Sequence, residues 1–480
     1  MEGLTIRRID PYRLEIRQRP PMRTSALLYA NAGIEKTIEG EEVIRQVANV
    51  ACLPGIVGPS MAMPDIHWGY GFPIGGVAAF SLEEGIISPG GVGYDINCGI
   101  RCIRTNLTSK SVSPVLGNLL ALLYSTVPSG VGSSTKSFRV DRKEFRKILE
   151  GGSKWALRQG LASNGDLEAH EDRGCIEGAD PDAVSERAIE RGMPQLGTLG
   201  SGNHFLEIDA VDKIYDEGTA EKFGLFEGQI LVLVHTGSRG LGHQICDDYV
   251  HSMLASASRF GIDLPDRQLA CAPVSSREGR DYFGAMASAA NFAFANRQII
   301  THLVRQAFEA QFSACWERLR MELLYDCCHN IAKKETVSFE GKAQRVCIHR
   351  KGATRALPPG DTRLPDRYRK TGQPVLVPGD MGRMSYILAG DENAGETFFS
   401  ACHGAGRLLS RQKAKKIAKG RRLIEELERQ GIRVMAASRS TLSEEIPEAY
   451  KDVAEVVSTM SGAGVARIVA RLRPLAMVKG

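Results

Sequence analysis

Histidines are the residues of this 480-residue chain best suited to chemistry, and several of them stand in loops rich in glycine and asparagine. A lone histidine at a strand end more often hydrogen-bonds to the backbone than to a metal ion, so no single position is decisive. Five or six such positions together favour a site that uses imidazole as ligand, base or nucleophile. The ten histidines are His67, His170, His204, His235, His243, His251, His302, His329, His349 and His403.

The segment GGVGYDINCGIRC brings a carboxylate and a thiol close together in the sequence, at Asp95 and Cys98. Both can reach one metal ion if the loop curls, and the glycines at 90, 91, 93 and 99 permit that. A hard carboxylate, a soft thiolate and imidazoles suit a borderline divalent ion such as Mn²⁺, Co²⁺ or Zn²⁺. The alternative is a buried structural cysteine beside an aspartate in a turn.

Three further segments carry polar side chains in similar loops. Neutral imidazoles from separate segments, with a thiolate or carboxylate bridge, could hold two cations close together, and nearby arginines could bind phosphate oxygens. The segments are LGTLGSGNHFLEI with Asn203, His204 and Glu207, HTGSRGLGH with His235, Ser238, Arg239 and His243, and LLYDCCHNIAKKE with His329 and Asn330.

The segment ACHGAGRLLSR places His403 before two glycines and a predicted helix. Free N–H groups at a helix start favour an anion, so a phosphate could lie beside His403. That histidine could then be a ligand, a base or a nucleophile toward phosphorus, and the alternative is a histidine that caps a turn. Between Arg407 and Arg422 there are eight basic residues and no acidic one, which indicates a solvated helix face or a track for phosphodiesters, to which Arg350, Lys351 and Arg355 could add.

The chain around these residues predicts a mixed α+β fold. The run GQILVLVHTG predicts a buried strand from Gln229 to His235, and similar short apolar runs precede His349 and His403. Residues 284–333 predict two helices or one bent helix, and residues 407–430 predict a basic amphipathic helix ending near Gly431. The charged segment 140–195 is predicted to be a helical surface elaboration rather than a domain of its own.

Composition excludes several classes of protein. Lys plus Arg number 61 against 56 Asp plus Glu, and a net charge of +5 does not by itself indicate a nucleic-acid partner. The 11 cysteines show no CxxC spacing, the first residues lack an apolar signal segment, and prolines interrupt the uncharged run 46–64, so we expect a cytoplasmic protein with no membrane span. No P-loop, HExxH or K-x-D-G motif occurs, so nucleotide chemistry here needs another architecture.

Taken together, the motifs resemble those of the RtcB family of RNA ligases, and the similarity extends over nearly the whole chain. The resemblance implies one RtcB-like catalytic domain over residues 1–480, with β-sheets flanked by helices around a deep cleft. The motifs that carry it are MPDIHWGYGFPIGGVAAF at 63–80, GGVGYDINCGIR at 90–101, LGTLGSGNHFLEI at 196–208, HTGSRGLGHQ at 235–244, NFAFANRQ at 291–298, HRKGATRA at 349–356, PGDMGRMSYIL at 378–388 and CHGAGR at 402–407.

The implied activity joins an RNA 3′-phosphate or 2′,3′-cyclic phosphate end to a 5′-hydroxyl end, using GTP and two Mn²⁺ ions, in tRNA splicing and RNA repair. By resemblance, His403 would attack the α-phosphate of GTP and carry the guanylate, and Asp65 would orient its ring. Cys98 would bridge the two ions, with Asp95 and His204 completing one site and His235 and His329 the other. Broken tRNA halves are the expected partners, with archease as a possible activating protein.

The resemblance also implies nucleotide and RNA contacts. Phosphates of RNA would be held by Arg239, Lys351 and Arg411. Asp380 is a carboxylate near the nucleotide phosphates, so it is expected to face metal, solvent or a lysine. The residues expected around GTP are Asn203, His204, Phe205, Leu206, Glu207, His329, Asn330, Pro378, Gly379, Asp380, Met381, Ser385, His403, Gly404, Ala405, Gly406, Tyr450 and Lys479.

Two other functions are compatible with parts of the pattern. A dinuclear metallophosphoesterase acting on RNA ends would use similar ligands without GTP, but it leaves the HGAG loop unexplained. A non-catalytic RNA-binding scaffold would account for the basic run at 407–422, but not for Asp95, Cys98 and the histidines. The ligase is the function that uses all of these residues.

Overall fold

A computed structural model describes residues 3–38, 41–135 and 138–480. Helices and strands are mixed along the chain, which confirms the expected α+β class. The strands are β1 Ile6–Asp10, β2 Arg13–Ile16, β3 Ala26–Tyr29, β4 Ile56–His67, β5 Ile74–Ser81, β6 Ile86–Ile87, β7 Gly99–Thr108, β8 Phe205–Ile214, β9 Gln229–Thr236, β10 Ala272–Pro273, β11 Glu322–Cys328, β12 Asn330–Phe339, β13 Lys342–Lys351, β14 Ala353–Arg355, β15 Pro374–Val377, β16 Ser385–Gly390, β17 Ser400–Cys402, β18 Arg433–Ala436 and β19 Ala466–Lys479.

Helices pack against both large sheets. Of the helices in the described residues, none has the combination of length and apolar character that crossing a membrane would require. The helices are α1 Ala32–Glu35, α2 Glu41–Val50, α3 Pro89–Val92, α4 Ser109–Val112, α5 Leu116–Thr126, α6 Arg142–Gly151, α7 Ser153–Arg158, α8 Asn164–Glu168, α9 Glu186–Gly192, α10 Glu217–Phe223, α11 Arg239–Ser256, α12 Arg277–Phe312, α13 Asp366–Arg369, α14 Arg411–Ala418, α15 Leu423–Arg429, α16 Arg439–Glu444 and α17 Val453–Gly462.

Two large sheets organise the chain. The first has the strand order β1-β2-β3-β4-β5-β13-β12, and the second has the order β11-β7-β9-β8-β19-β16-β15, with β18 pairing in parallel to β19. Strands β3 and β4 also pair in parallel. All other neighbouring strands in the two sheets run antiparallel. The start of one strand therefore lies beside the end of the next, which gathers loops from distant parts of the sequence at one sheet edge.

The long helix α12 passes through the larger hydrophobic core. Its N-terminus is capped by Ser276, whose hydroxyl accepts the Gly279 N–H at 3.0 Å, and its central part is buried on every side because alanines let neighbouring elements approach closely. The segment 140–195 is built of short helices, and its Phe145, Ile148 and Trp155 are part of this same core.

Two helix predictions are wrong in their extent. The prediction for 284–333 ends too late, because Ser313 adopts a left-handed backbone (φ 49°) that closes α12, and Glu322–Cys328 then pairs with β7. This strand is buried on both faces, so its apolar run has no alternation to distinguish it from a helix. The segment 407–430 was predicted as one helix but forms two, because Gly420 (φ +83°) interrupts the helical backbone between α14 and α15.

Candidate active site

One edge of the second sheet gathers the residues expected to hold metal. Gly99, at the start of β7, is paired with Thr236 at the end of β9 and with Cys328 at the end of β11. Phe205, at the start of β8, is paired with His235. The side chains that precede or follow these positions therefore meet at one place, although they are far apart in the sequence.

The five predicted ligands come together there as two overlapping triads. Asp95, Cys98 and His204 form one, and Cys98, His235 and His329 form the other, with the donor atoms of each triad within 4.8 Å of one another. Cys98 Sγ lies 3.5 Å from His204 Nε2 and 3.4 Å from His235 Nε2, and Asp95 Oδ2 lies 2.8 Å from His204 Nε2. Cys98 is the residue that the two triads share.

Backbone carbonyls orient two of the imidazoles. The Nδ1 of His204 lies 3.1 Å from the Leu199 carbonyl oxygen, and the Nδ1 of His235 lies 3.1 Å from the Asn203 carbonyl oxygen. A carbonyl can only accept, so Nδ1 carries a proton in each ring and Nε2 is the nitrogen directed at the centre. Outer hydrogen bonds of this kind are usual for histidines that bind metal.

Burial sets the protonation states of the ligands. It holds the pKa of His235 and of His329 well below the usual range, helped by neighbouring histidines, so both are neutral. Burial raises the pKa of the Cys98 thiol well above its ordinary value, and the charge of Asp95 adds to this. Burial opposes ionisation of Asp95 too, but His204 outweighs it and the pKa of that carboxyl is lowered.

These residues fit a borderline divalent cation. The donor set combines three imidazoles, a thiol and a carboxylate. Asp95 Oδ1 is buried and has no hydrogen-bond partner among the described residues, and His235 Nε2 faces His329 Nε2 at 3.2 Å. A cation would give these atoms a partner and would displace the thiol proton, so the site is suited to metal on its own chemistry.

Arg297 supports this edge from below, and sequence reasoning missed it. Its buried guanidinium donates to the carbonyl oxygens of Asn97 at 2.8 Å and Thr236 at 3.0 Å, next to Cys98 and His235. It also makes two hydrogen bonds to Asp326, at 2.8 and 2.9 Å, three residues before His329. One side chain thus joins the backbone beside Cys98 and His235 to the Asp326 carboxylate near His329, and the available signal was its place in the motif NFAFANRQ.

His403 follows β17, and its ring lies against that of His329 at the metal-site edge, tilted by 55°. Its ring centroid lies 4.8 Å from that of His329. The fully buried Asp65 accepts from His403 Nδ1 at 2.6 Å, from the His403 backbone N–H at 2.9 Å and from the Gly404 N–H at 3.3 Å. The proton is therefore held on Nδ1, and Nε2 keeps a free lone pair. Gly406 is required here, because a Cβ would lie 2.2 Å from the Asp65 carbonyl oxygen.

The HGAG loop is not the helix start that its sequence suggested. Helix α14 begins only at Arg411, with Ser410 as its cap. The N–H groups of His403 and Gly404 donate to Asp65, so the anion that they bind is a carboxylate of the protein. Local glycine spacing could not show this, because Asp65 comes from the first sheet.

Most of the residues expected around GTP line one cleft of about 590 Å³, together with the metal-binding triads and His403. Two of them do not line it. Leu206 is buried in the larger core, and Ser385 accepts the Gly379 N–H at 3.1 Å and so supports the loop 378–381 from behind. Asp65 stands behind His403 in the same way.

The end of the cleft at Glu207 and Lys479 contains two buried ionisable groups. Burial raises the pKa of Glu207 well above its usual value, and burial lowers the pKa of Lys479. The Lys479 ammonium lies 5.6 Å from the ring centroid of Phe205. Tyr450 accepts a hydrogen bond of 2.9 Å from Arg407 and donates to Glu445. Polar groups and an aromatic face are therefore both available to a purine.

Asp380 is neutralised within its own loop. Its Oδ1 accepts the Gly382 N–H at 3.0 Å, and its Oδ2 lies 3.3 Å from the Nε of Arg383. The cationic partner of Asp380 is therefore Arg383, and not the metal, solvent or lysine that was expected.

The three cations expected to bind RNA all line the cleft, but they are not equally available. Arg239 forms no ion pair with a carboxylate in the described part of the chain, and Arg411 is 59% exposed with Glu444 at 3.5 Å. Lys351 is buried, and its ammonium donates to the carbonyl oxygens of Tyr70, Phe72 and Gly90 at 2.5–3.1 Å. Burial lowers the pKa of Lys351 to about 7, and its geometry is that of an internal support.

Two neighbours of Lys351 also differ from expectation. Arg350 is fully buried and paired with Glu335, and Arg355 is paired with Asp172 at 2.9 Å, so neither contributes to a surface track. His349 lies inside β13 instead of at its end, and its Nε2 accepts the Ser88 N–H at 3.0 Å. Antiparallel pairing with β5 extends this strand past the point where the sequence placed a loop.

Sequence reasoning assigned no role to several residues that line the cleft. They are His67, Tyr70, Tyr94 and Glu445, and His243 joins them without the metal role that its loop suggested. Arg407, the first residue of the basic run, also lines the cleft. His67, Tyr70 and Tyr94 stand in the motifs already quoted, so their position in a glycine-rich loop was the available signal.

Comparison with known proteins identifies the family. The model of the family described as "tRNA-splicing ligase RtcB" matches residues 46–480. The chain belongs to the RtcB family. Relatives named tRNA-splicing ligase RtcB from Thermococcus kodakarensis and Archaeoglobus fulgidus are 52% and 50% identical to it, over 100% of this chain and of theirs. The relative from Mycobacterium bovis, named RNA-splicing ligase RtcB, is 49% identical over 91% of this RtcB-family chain and 100% of its own length.

Proposed function

We propose that this chain is an RNA ligase of tRNA splicing. Membership of the RtcB family, with curated relatives similar over their full length, supports that activity and does not favour the metallophosphoesterase alternative. The observation that carries the finer proposal is the position of His403, held by Asp65 and in ring contact with His329, beside two triads that could hold metal. A phosphoesterase that works by metal-activated water would have no need of that histidine.

The proposed first step joins GTP to His403. The Nε2 lone pair attacks the α-phosphorus, the bond to the β-phosphate oxygen breaks, and pyrophosphate leaves. Asp65 keeps the proton on Nδ1 and stabilises the positive charge that grows on the ring as the new bond forms. Asp95, Cys98, His204, His235 and His329 would hold two Mn²⁺ ions. Such ions neutralise phosphate charge and polarise the α-phosphate.

The guanylate then passes to RNA. In the proposed sequence a 2′,3′-cyclic end is first opened to the 3′-phosphate, the 3′-phosphate takes the guanylate from His403, and the 5′-hydroxyl attacks the activated phosphate and releases GMP. Glu207 and Tyr450 would recognise the guanine edge and face. Arg239 and Arg411 would bind RNA phosphates, with Lys351 supporting the cleft wall. We further propose that it works in the cytoplasm on tRNA halves and that archease assists it.

The test is covalent labelling with α-³²P-GTP and Mn²⁺ of the wild type and of His403→Ala. We expect label that survives denaturation, is lost in acid and is absent from the variant. The control is His349→Ala, which removes a fully buried imidazole that hydrogen-bonds only to backbone. Ligation is then assayed with RNA pairs that differ only in their end groups. No covalent label with any divalent ion, with archease supplied, would refute the mechanism.

A further inference from the structure

Trp68 leaves a large apolar surface in water, in the loop between His67 and Tyr70, which both line the active-site cleft. Trp68 is 58% exposed, whereas Trp155 is 3% exposed. Trp316 packs against Arg305, whose guanidinium carbon lies 4.0 Å from the ring centroid. Isolated exposed apolar side chains are ordinary on protein surfaces. Two features of Trp68 are relevant to function. Its loop is held by several hydrogen bonds, and the residues on either side of it line the cleft.

The loop that carries the indole is held at successive residues. The side-chain amide of Gln46 accepts the Gly69 N–H at 3.2 Å and donates to the Gly69 carbonyl at 2.5 Å. The Gly71 N–H donates to the Gln268 side chain at 2.9 Å, and the buried Lys351 ammonium holds the carbonyls of residues 70 and 72. An aromatic surface on so constrained a loop loses little freedom when something stacks on it.

The residues beside Trp68 connect it with the metal-site edge. His67 and Tyr70, on either side of it in the loop, both line the cleft. The ring of Tyr70 lies 5.6 Å from that of Tyr94 at an interplanar angle of 73°, and Tyr94 lies 5.6 Å from His243. Tyr94 directly precedes the ligand Asp95. Aromatic side chains therefore follow one another along one wall of the cleft, from Tyr70 through Tyr94 to His243, while Arg239 and Arg411 supply positive charge.

We propose that Trp68 is a stacking platform for an unpaired nucleobase of the RNA, beside the ends that are joined. This inference rests on the proposed function and deepens it. Aromatic faces combined with cations are the two elements by which single-stranded nucleic acid is bound without regard to base sequence. An RNA strand that enters the cleft with its backbone on the arginines presents its bases to the aromatic wall, and Trp68 receives the first base outside the cleft.

Tryptophan fluorescence tests the contact directly. Trp68 is the most exposed of the three tryptophans, so a base that stacks on it is expected to quench its emission. The probe is a short single-stranded RNA with a 3′-phosphate, compared with the same strand carrying abasic riboses. We expect quenching by the first strand, much less by the abasic strand, and none in Trp68→Phe. Equal quenching in wild type and Trp68→Phe, or none while RNA binds, would overturn the proposal.

Steady-state ligation gives the second measurement. Trp68→Ala is expected to raise the KM for RNA on the order of tenfold with kcat nearly unchanged, and Trp68→Phe to restore most of the affinity. Phe226→Ala is the matched control, because Phe226 is 42% exposed and precedes β9 at the end opposite His235. An unchanged KM in Trp68→Ala would overturn the proposal. An indole that instead served protein docking would give that same result.

Failure of the proposed function would look different. Labelling of His403 by GTP needs no RNA, so a wild-type protein that takes no label refutes the ligase mechanism itself. A wild type that takes label and ligates, with a Trp68→Ala variant indistinguishable from it, refutes only the stacking role.

Discussion

The sharpest prediction concerns the carboxylate behind His403. Asp65 is fully buried, and its Oδ2 accepts three N–H groups, of which the His403 Nδ1–H is the closest at 2.6 Å. In Asp65→Asn an amide oxygen can take the place of Oδ2, so the tautomer of His403 is retained while the charge is lost. The variant therefore isolates the electrostatic contribution of the carboxylate from its role in orientation.

The magnitude follows from the change in that hydrogen bond. A bond to a charged group is worth about 1.5–3 kcal/mol and a neutral one about 0.5–1.5 kcal/mol, and positive charge grows on the ring during attack. We take the combined loss as about 2–3 kcal/mol in the barrier, which is a rate of guanylate formation lower by roughly 30- to 160-fold. GTP affinity is expected to stay the same, because Asp65 lies behind His403 and does not line the cleft.

The assay is single-turnover labelling by α-³²P-GTP over a range of GTP concentrations, which separates the rate of bond formation from nucleotide affinity. The matched control is Asp209→Asn, which removes an equally buried carboxylate that has no hydrogen-bond partner among the described residues. A wild-type rate in Asp65→Asn, or a loss confined to GTP affinity, would refute the assignment of Asp65 as the group that stabilises charge on His403.

Three further predictions concern the metal triads, the buried carboxyl of Asp209 and the Arg297–Asp326 pair. Cys98→Ala is expected to lose both bound manganese ions and Asp95→Asn only one, because the thiol belongs to both triads; equal stoichiometry by elemental analysis would contradict this. Burial raises the pKa of Asp209, so the folded state holds its proton above the unfolded pKa of about 4, and stability from this group falls as pH rises. Asp209→Asn should therefore gain stability over wild type progressively above about pH 4 in denaturant titrations, and a pH-independent difference would exclude this. Arg297→Lys should lower the free energy of unfolding by about 3 kcal/mol and weaken manganese binding, because an ammonium cannot replace the two guanidinium hydrogen bonds to Asp326. A denaturation midpoint equal to that of the wild type would show that the Arg297–Asp326 pair is dispensable.

The chemistry of the site could be predicted from the sequence because it depends on residue type and local spacing. The sequence identified these candidate residues without any long-range information: histidines at the ends of apolar runs, a thiol near a carboxylate, and the motif CHGAGR. The strand Gln229–Thr236 was predicted almost to its ends, because a buried apolar run closed by a glycine loop is a local pattern.

Only the tertiary structure decided which of these groups meet. His349 had the same local pattern as His235, yet its Nε2 accepts the Ser88 N–H and it belongs to neither triad, and the N–H groups of His403 and Gly404 bind Asp65 instead of a ligand. Lys351 holds backbone carbonyls instead of facing solvent, and the support from Arg297 was not foreseen. These outcomes depend on strand order and register, which arise from packing between residues hundreds of positions apart. Local spacing determines what a side chain can do, and long-range packing determines what it faces.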